Sequence, residues 1–384
     1  MSQPKVLVVY GTRPEAIKLA PVVHALAASP HLDPVVVVTG QHRAMLDQVN
    51  ELFDIVPSHD LDLLRTRPDL TGITTGALEG LSPVIAAEQP DLVVVQGDTT
   101  TVFAAALASF YAKVPVAHVE AGLRTGDRYN PFPEEINRRL TSALTTLHLA
   151  PTPTSRANLL AEGIDPAAVV VTGNTVIDAL LDVVARDLPV HDPALRPVGS
   201  ADRVVLVTSH RRESWGDPMA RTARALARLA RAYPDVLWVL PAHLNPGVRS
   251  VLLPPLEGIG NVLVTEPLDY SDMAYVLAAS TLVVTDSGGV QEEAPSLGRP
   301  VLVLRETTER PEAVAAGTVR LVGTDEDLIV AEVSRLLDDP GAYEAMARAV
   351  NPYGDGAAAA RVVGAVEHLF GLGPRPADFA PGAA

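Results

Sequence analysis

Nearly unbroken Val/Leu runs, each ending in a cluster of polar residues, constrain this chain more than any other feature. KVLVVYG, PVVVVTG, DLVVVQGD, VPVAHVEAG and HLAPT recur through the first half. RVVLVTSH, DVLWVLPAH, NVLVTEPL, TLVVTDSGG, PVLVLRET and TVRLVGT follow in the second. A strand with one face in water alternates apolar and polar residues. A continuous apolar run belongs to a strand covered on both faces, as in parallel sheets. Helical patterns fill the stretches between, so right-handed βαβ crossovers are expected. Two such series in 384 residues predict an α/β chain of two doubly wound, Rossmann-like domains with a cleft between their polar strand ends. The expected division is 1–175 and 176–355, with a helix over 356–370 returning to the first domain. DLPVHDPALRPVGSAD, proline-rich and aperiodic, reads as a linker, and GLGPRPADFAPGAA, residues 371–384, as a flexible tail.

Composition removes several kinds of chemistry. The chain has no cysteine, which excludes disulfides, thiolate metal sites and a cysteine nucleophile. Its net charge of −16 argues against nucleic acid as a partner. The start, MSQPKVLVVY, enters a strand at once, and no apolar run approaches the roughly 20 residues of a membrane helix. No membrane association and a cytoplasmic location are therefore expected. No GxGxxG follows a strand and no GxxxxGK[ST] occurs, which weighs against NAD and P-loop chemistry. The histidines do not cluster with acids at metal-ligand spacing and there is no HExxH, so no catalytic metal is predicted.

What remains is the chemistry of the strand ends. In TDSGGVQEEAP two glycines follow a buried strand directly, although one suffices for an ordinary turn. Gly288 and Gly289 would let backbone amides approach phosphate oxygens, Ser287 could donate its hydroxyl, and Glu293 could accept from sugar hydroxyls. GTRPEAIK offers a second helix start, with Arg13 and Lys18 adding positive charge where an anion could sit. Asp98, Glu120 and Glu134 stand at or after strand ends of the first half. Any one could be a helix cap, but three together point to a carboxylate that titrates during a reaction. His210, between a buried strand and two arginines, suits contact with an anionic leaving group, and His243 in PAHLNP is a weaker candidate.

Taken together, GTRPEAIKLAP, QGDTTTVFAAAL, HVEAGLRTGDRYNPFPEEINRRL, GNTVIDAL, TSHRRESWG and TDSGGVQEEAPSLGRPVLVLRETTERPEAV closely resemble the bacterial non-hydrolysing UDP-N-acetylglucosamine 2-epimerases, from about Lys5 to Gly323. The resemblance implies a fold like that of B-type glycosyltransferases and reversible conversion of UDP-GlcNAc to UDP-ManNAc without cofactor or metal. It implies anti-elimination of UDP to 2-acetamidoglucal and syn readdition, a homodimer, and a product that feeds surface polysaccharide synthesis. By motif, Ser287, Gly288 and Gly289 would bind the diphosphate and Glu293 the ribose, with Arg13 and Arg310 on the nucleotide. Lys18, Asp98, Glu120, Glu134 and His210 would serve the sugar and catalysis. Leu268 and Met273 stand where some members carry a glutamine and a phenylalanine near the uracil. Several members bind a second UDP-GlcNAc as an activator. Gln41, Arg67, Glu135, Arg211 and His243 could line such a site, although Ala44 stands near where activated members have a second glutamine. The rival readings are a hydrolysing 2-epimerase releasing ManNAc and UDP, a glycosyltransferase of the same fold, and an inactive UDP-sugar-binding regulator.

Overall fold

The computed structural model describes residues 3–40, 43–63, 69–211, 214–308 and 310–382. They form two compact units, one of residues 1–179 with 353–384 and one of residues 180–352.

The first unit carries a seven-stranded sheet of β1 (Lys5–Tyr10), β2 (Asp33–Val38), β3 (His59–Asp60), β4 (Leu92–Gln96), β5 (Val116–Val119), β6 (Leu147–Ala150) and β7 (Val169–Val171). Its order is β3-β2-β1-β4-β5-β6-β7, and every pairing is parallel. β4 and β5 are buried along their whole length, which is why their sequences do not alternate. Leu7, Val9, Val93 and Val95 pack on Leu81 and Ile85 of the helix Leu70–Glu88 and on Ala104 and Ala108 of the helix Thr100–Tyr111.

The second unit repeats the plan in six parallel strands. These are β8 (Arg203–Thr208), β9 (Val236–Pro241), β10 (Val262–Thr265), β11 (Leu282–Thr285), β12 (Val301–Val303) and β13 (Val319–Leu321), in the order β10-β9-β8-β11-β12-β13. Val205, Val207, Leu240 and Val284 meet Leu226 and Leu229 of the helix Asp217–Ala232 and Ile329 and Val333 of the helix Glu326–Asp338. In each sheet the strand order reverses once, between β1 and β4 and between β8 and β11. Ligands of doubly wound sheets sit outside the carboxyl ends at such reversals.

Two expectations need correction. The proline-rich stretch after the helix Thr175–Ala185 is not a free linker. Its residues Pro193–Ser200 wind into a 3₁₀ helix that buries Leu195 and Val198, and the backbone amides of His191 and Asp192 donate to the Asp272 carboxylate at 2.9 and 2.8 Å. The tail is likewise packed as far as Phe379. Val171 N donates to Asp378 Oδ1 at 3.0 Å, Phe379 N donates to Val171 O at 2.7 Å, and the Phe379 ring is buried beneath the Arg361 guanidinium. β7 lies at the edge of its sheet, where unpaired backbone groups need covering, and the tail covers them.

The chain re-enters the first unit through the helix Ala358–Leu369, whose first amides, Ala358 N and Ala359 N, donate to the Asp178 carboxylate at 3.2 and 2.8 Å. Burial pushes the Asp178 carboxyl up to about 6 against these stabilising bonds. Among the described residues no helix is long and apolar enough to cross a membrane.

Candidate active site

At the carboxyl end of β1 the chain turns into the helix Arg13–Ala28 through Gly11 and Thr12. Glu15, in the first turn and buried, accepts from the amides of Gly11 and Thr12, both at 2.7 Å, and from the Thr99 hydroxyl at the end of β4. Burial raises its carboxyl, and those donors work in the opposite direction. Glu15 thus binds the two strand ends at the reversal together. Arg13 is half-buried in the same turn, and Lys18 follows one turn later.

Lys18 Nζ donates to both oxygens of Glu120, at 2.6 and 2.7 Å. Glu120 lies just beyond β5 with φ of +65°, a left-handed conformation that few side-chain-bearing residues adopt. Gln96 Nε2 and Asn174 Nδ2 also donate to its carboxylate, the latter at 3.1 Å. Two residues on, Gly122 has φ of +93°, and a Cβ there would stand 2.2 Å from Ser155 O, so only glycine fits. Asp98 meets Arg138, whose Nε and Nη2 lie 2.8 and 2.7 Å from Asp98 Oδ2, while Asn137 Nδ2 donates to the Asp98 carbonyl at 2.9 Å. Glu134 opens the helix Glu134–Leu144 and is half-buried. The structure therefore brings Lys18, Asp98 and Glu120 to neighbouring strand ends, each carboxylate beside a cation. Three supporting residues, Gln96, Arg138 and Asn174, lie within motifs quoted above, but only the structure shows which carboxylates they hold.

Glu135 follows Glu134 in the same helical turn. Its side chain is fully buried and accepts from Thr125 N at 3.0 Å, Gly126 N at 3.3 Å and Arg139 Nε at 3.2 Å. Burial opposes ionisation, but the backbone donors and nearby Arg138 outweigh it and hold the carboxyl below its ordinary value. It fastens the 125–126 turn. Gln41 and Arg67, expected beside it, lie outside the described residues, and nothing is described of the Ala44 side chain.

In the second unit β8 and β11 end side by side. Asp286, wholly buried after β11, accepts from His210 N at 2.7 Å and Arg211 N at 2.9 Å through Oδ2, and its Oδ1 stands 3.2 Å from His210 Nδ1. Burial opposes its charge, but the His210 ring and these two amides prevail and lower its pKa. The His210 ring stacks on that of His243, with centroids 5.7 Å apart and planes 11° apart, and the His210 side chain keeps 40% of its surface exposed. Arg211 is half-buried beside it.

The double glycine opens a six-residue helix, Gly288–Glu293, with Ser287 as its N-cap. A Cβ on Gly288 would lie 3.1 Å from Cζ and Nη1 of Arg310, so its bareness lets the guanidinium rest against the turn. A Cβ on exposed Gly289 would meet nothing closer than Glu293 Oε2 at 3.5 Å. Arg310 Nε donates to the buried Glu292 at 2.7 Å, and Thr308 joins the same loop to Gln291 at 2.7 Å. Glu293 accepts from Tyr270 Oη at 3.1 Å. The amides of a first helical turn have no partners within the helix, so this turn combines open donors with an adjacent cation. Leu268 is buried and Met273 half-buried nearby in sequence.

His191, Asp269 and Asp272 bring potential ligand atoms within 4.8 Å of one another, a grouping the sequence spacing hid. Both Asp272 oxygens already accept backbone amides, and Asp269 accepts from Ser271 and Asp272 N as well as meeting His191 Nδ1 at 2.7 Å. The group anchors the 3₁₀ segment to the helix Tyr270–Ala279.

The model of the UDP-N-acetylglucosamine 2-epimerase family matches residues 24–367. This chain belongs to that family. The UDP-N-acetylglucosamine 2-epimerase of Escherichia coli K12 is 53% identical over 372 residues, spanning 95% of this chain and 98% of its own. Among solved structures, the S. aureus MnaA–UDP complex superposes with a TM-score of 0.89 at 44% identity, over 98% of this chain and all of that one. The Neisseria meningitidis UDP-GlcNAc 2-epimerase bound to UDP-GlcNAc gives 0.86 at 47% identity, over 96% and 100%. A glycosyltransferase of kitacinnamycin, 16% identical with a TM-score of 0.61, shares the fold alone. The expected B-type glycosyltransferase-like fold is thus found.

Proposed function

We propose that this chain interconverts UDP-GlcNAc and UDP-ManNAc by expelling and recapturing UDP, without hydrolysis. The observation that carries the reading is the division of chemistry between the two units within a family whose N. meningitidis member binds UDP-GlcNAc. Paired carboxylates stand at the strand ends of one unit and an anion-binding turn with Arg310 and His210 at those of the other.

The sugar C2–H is not beside a carbonyl, so direct deprotonation and reprotonation there would be prohibitively slow. Elimination avoids this. A carboxylate among Asp98, Glu120 and Glu134 removes the C2 proton, the C1–O bond to the diphosphate breaks, and 2-acetamidoglucal forms. Readdition of UDP at C1 with protonation of C2 on the opposite face gives the epimer. Arg13, Lys18, His210, Arg310 and the amides after Ser287 receive the departing diphosphate. Glu293, beside Tyr270, meets the ribose, and Leu268 and Met273 lie along the base. Glu120 is engaged by Lys18, Gln96 and Asn174 and Asp98 by Arg138, so each carboxylate of the scheme works beside a positive or polar partner, and the base is one of Asp98, Glu120 and Glu134. Arg211 and His243 could serve a second UDP-GlcNAc. The scheme places a homodimer in the cytoplasm, supplying surface polysaccharide synthesis.

Incubating the purified protein with UDP-GlcNAc alone and following products by NMR tests this. UDP-ManNAc accumulating to an equilibrium ratio is expected. Free ManNAc with stoichiometric UDP would establish the hydrolysing reaction instead, and no change without an added acceptor would favour a glycosyltransferase.

A further inference from the structure

One carboxylate faces both the backbone and the ring of His210: Oδ2 is hydrogen-bonded to the backbone, and buried Oδ1 has, among the described residues, no hydrogen-bond partner other than the ring it approaches. Asp286 sits at the strand reversal of the second unit, its own amide donating to Thr208 O at 3.1 Å, so the backbone delivers it directly against the end of β8. Oδ2 takes the amides of His210 and Arg211, which sets the path of the chain, and a strand-end turn would need nothing more. Oδ1 has no part in that turn. It lies 3.2 Å from His210 Nδ1, while the stacked His243 ring holds the plane of the imidazole. His243 Nδ1 is itself occupied, accepting from Asn245 N at 3.1 Å. A carboxylate facing Nδ1 favours the proton on that nitrogen. In a neutral ring this leaves the Nε2 lone pair open.

We propose that Asp286 is a positioning residue for His210, holding the ring proton on Nδ1 so that Nε2 faces the substrate diphosphate and, once it has taken a proton from solvent, donates it to a diphosphate oxygen, with the Asp286 carboxylate balancing the imidazolium. The inference rests on the proposed contact of His210 with the leaving group, but the tautomer itself does not depend on it. Replacement by asparagine separates the two jobs of the carboxylate. The amide oxygen can still accept from His210 N and Arg211 N, whereas the amide NH₂ turned toward His210 would require Nδ1 to be an acceptor and move the proton to Nε2.

The test has two readouts. In protein labelled with ¹⁵N-histidine, the His210 signals are assigned by their loss in His210→Gln. In the wild type, long-range ¹H–¹⁵N correlations of neutral His210 should show a protonated Nδ1. An Nε2–H tautomer there overturns the proposal without any Asp286 variant being made. The second readout is a double-mutant cycle in turnover. Asp286→Asn should lower kcat by about tenfold to a hundredfold with KM within about threefold, and should cost less than about twofold further in a His210→Ala background. Equal losses in both backgrounds would show that Asp286 acts through the fold and not through His210. If His210→Ala alone keeps full activity, the assigned role of His210 fails, while the tautomer measurement still decides what Asp286 does to the ring.

Discussion

Acidification should loosen the first unit through two histidines buried in its sheet. His118 on β5 and His148 on β6 are register partners, each 1% exposed, and Nδ1 of each has no hydrogen-bond partner among the described residues. Burial drives His118 down to about 4 despite its Nε2 contact with Gly97 O, and burial with nearby His118 and Arg124 does the same to His148, also to about 4. Each stays neutral in the fold but takes up a proton in the unfolded chain below about pH 6.5. Between pH 6.5 and 4 the unfolded state therefore binds more protons, and stability falls as pH falls. Integrated from pH 7.5 to pH 5, the loss is about 2 kcal/mol per histidine. Asp178, raised to about 6, works in the opposite sense and returns about 1 kcal/mol over the same interval as it protonates.

Replacing His148 by leucine isolates one contribution, because Asp178 and the intrinsic cost of the substitution cancel in the pH difference. Opening free energies of β5 and β6 peptides, read by hydrogen-exchange mass spectrometry at pH 7.5 and 5, should show a drop in the wild type that is smaller by about 2 kcal/mol in His148→Leu. An equal drop in both proteins would refute the assignment of acid sensitivity to His148.

Three further perturbations follow from particular contacts. Gly288→Ala places a Cβ against the Arg310 guanidinium and should weaken UDP binding by about tenfold in calorimetry with little change in melting temperature. Unchanged affinity would mean that Arg310 does not hold the nucleotide. Asp98→Asn and His210→Ala should each lower turnover by at least ~100-fold while UDP affinity stays within about an order of magnitude. Near-normal turnover in either removes that residue from the mechanism. Phe379→Ala uncovers the β7 edge and should cost about 3 kcal/mol, a fall of roughly 6 to 12 °C in the melting temperature of the first unit. No fall would mean that the tail adds nothing to stability.

The strands were legible because burial on both faces imposes unbroken apolar runs, and their polar ends marked where chemistry would gather. β3 escaped because two residues are too short to show a pattern. The tail escaped because it is recruited by the backbone of an edge strand, which leaves no side-chain periodicity. Consecutive glutamates 134 and 135 look alike in sequence, yet the helix turns one into a fully buried clamp and leaves the other half-buried. The same limit hid Asp286. A carboxylate ahead of two glycines reads as part of a turn, and only the adjacency of β8 and β11 reveals that it faces His210. The double glycine reads in the sequence as room made for a ligand. One of its two vacancies is occupied by Arg310, which was not foreseen from the turn itself.

Running the reaction in deuterium oxide and inspecting the sugar protons of both nucleotide sugars tests the central claim most directly. Loss of the C2 proton signal in step with epimerisation, with the anomeric proton retained, is the predicted result. A C2 proton that survives full equilibration would contradict expulsion and recapture of UDP.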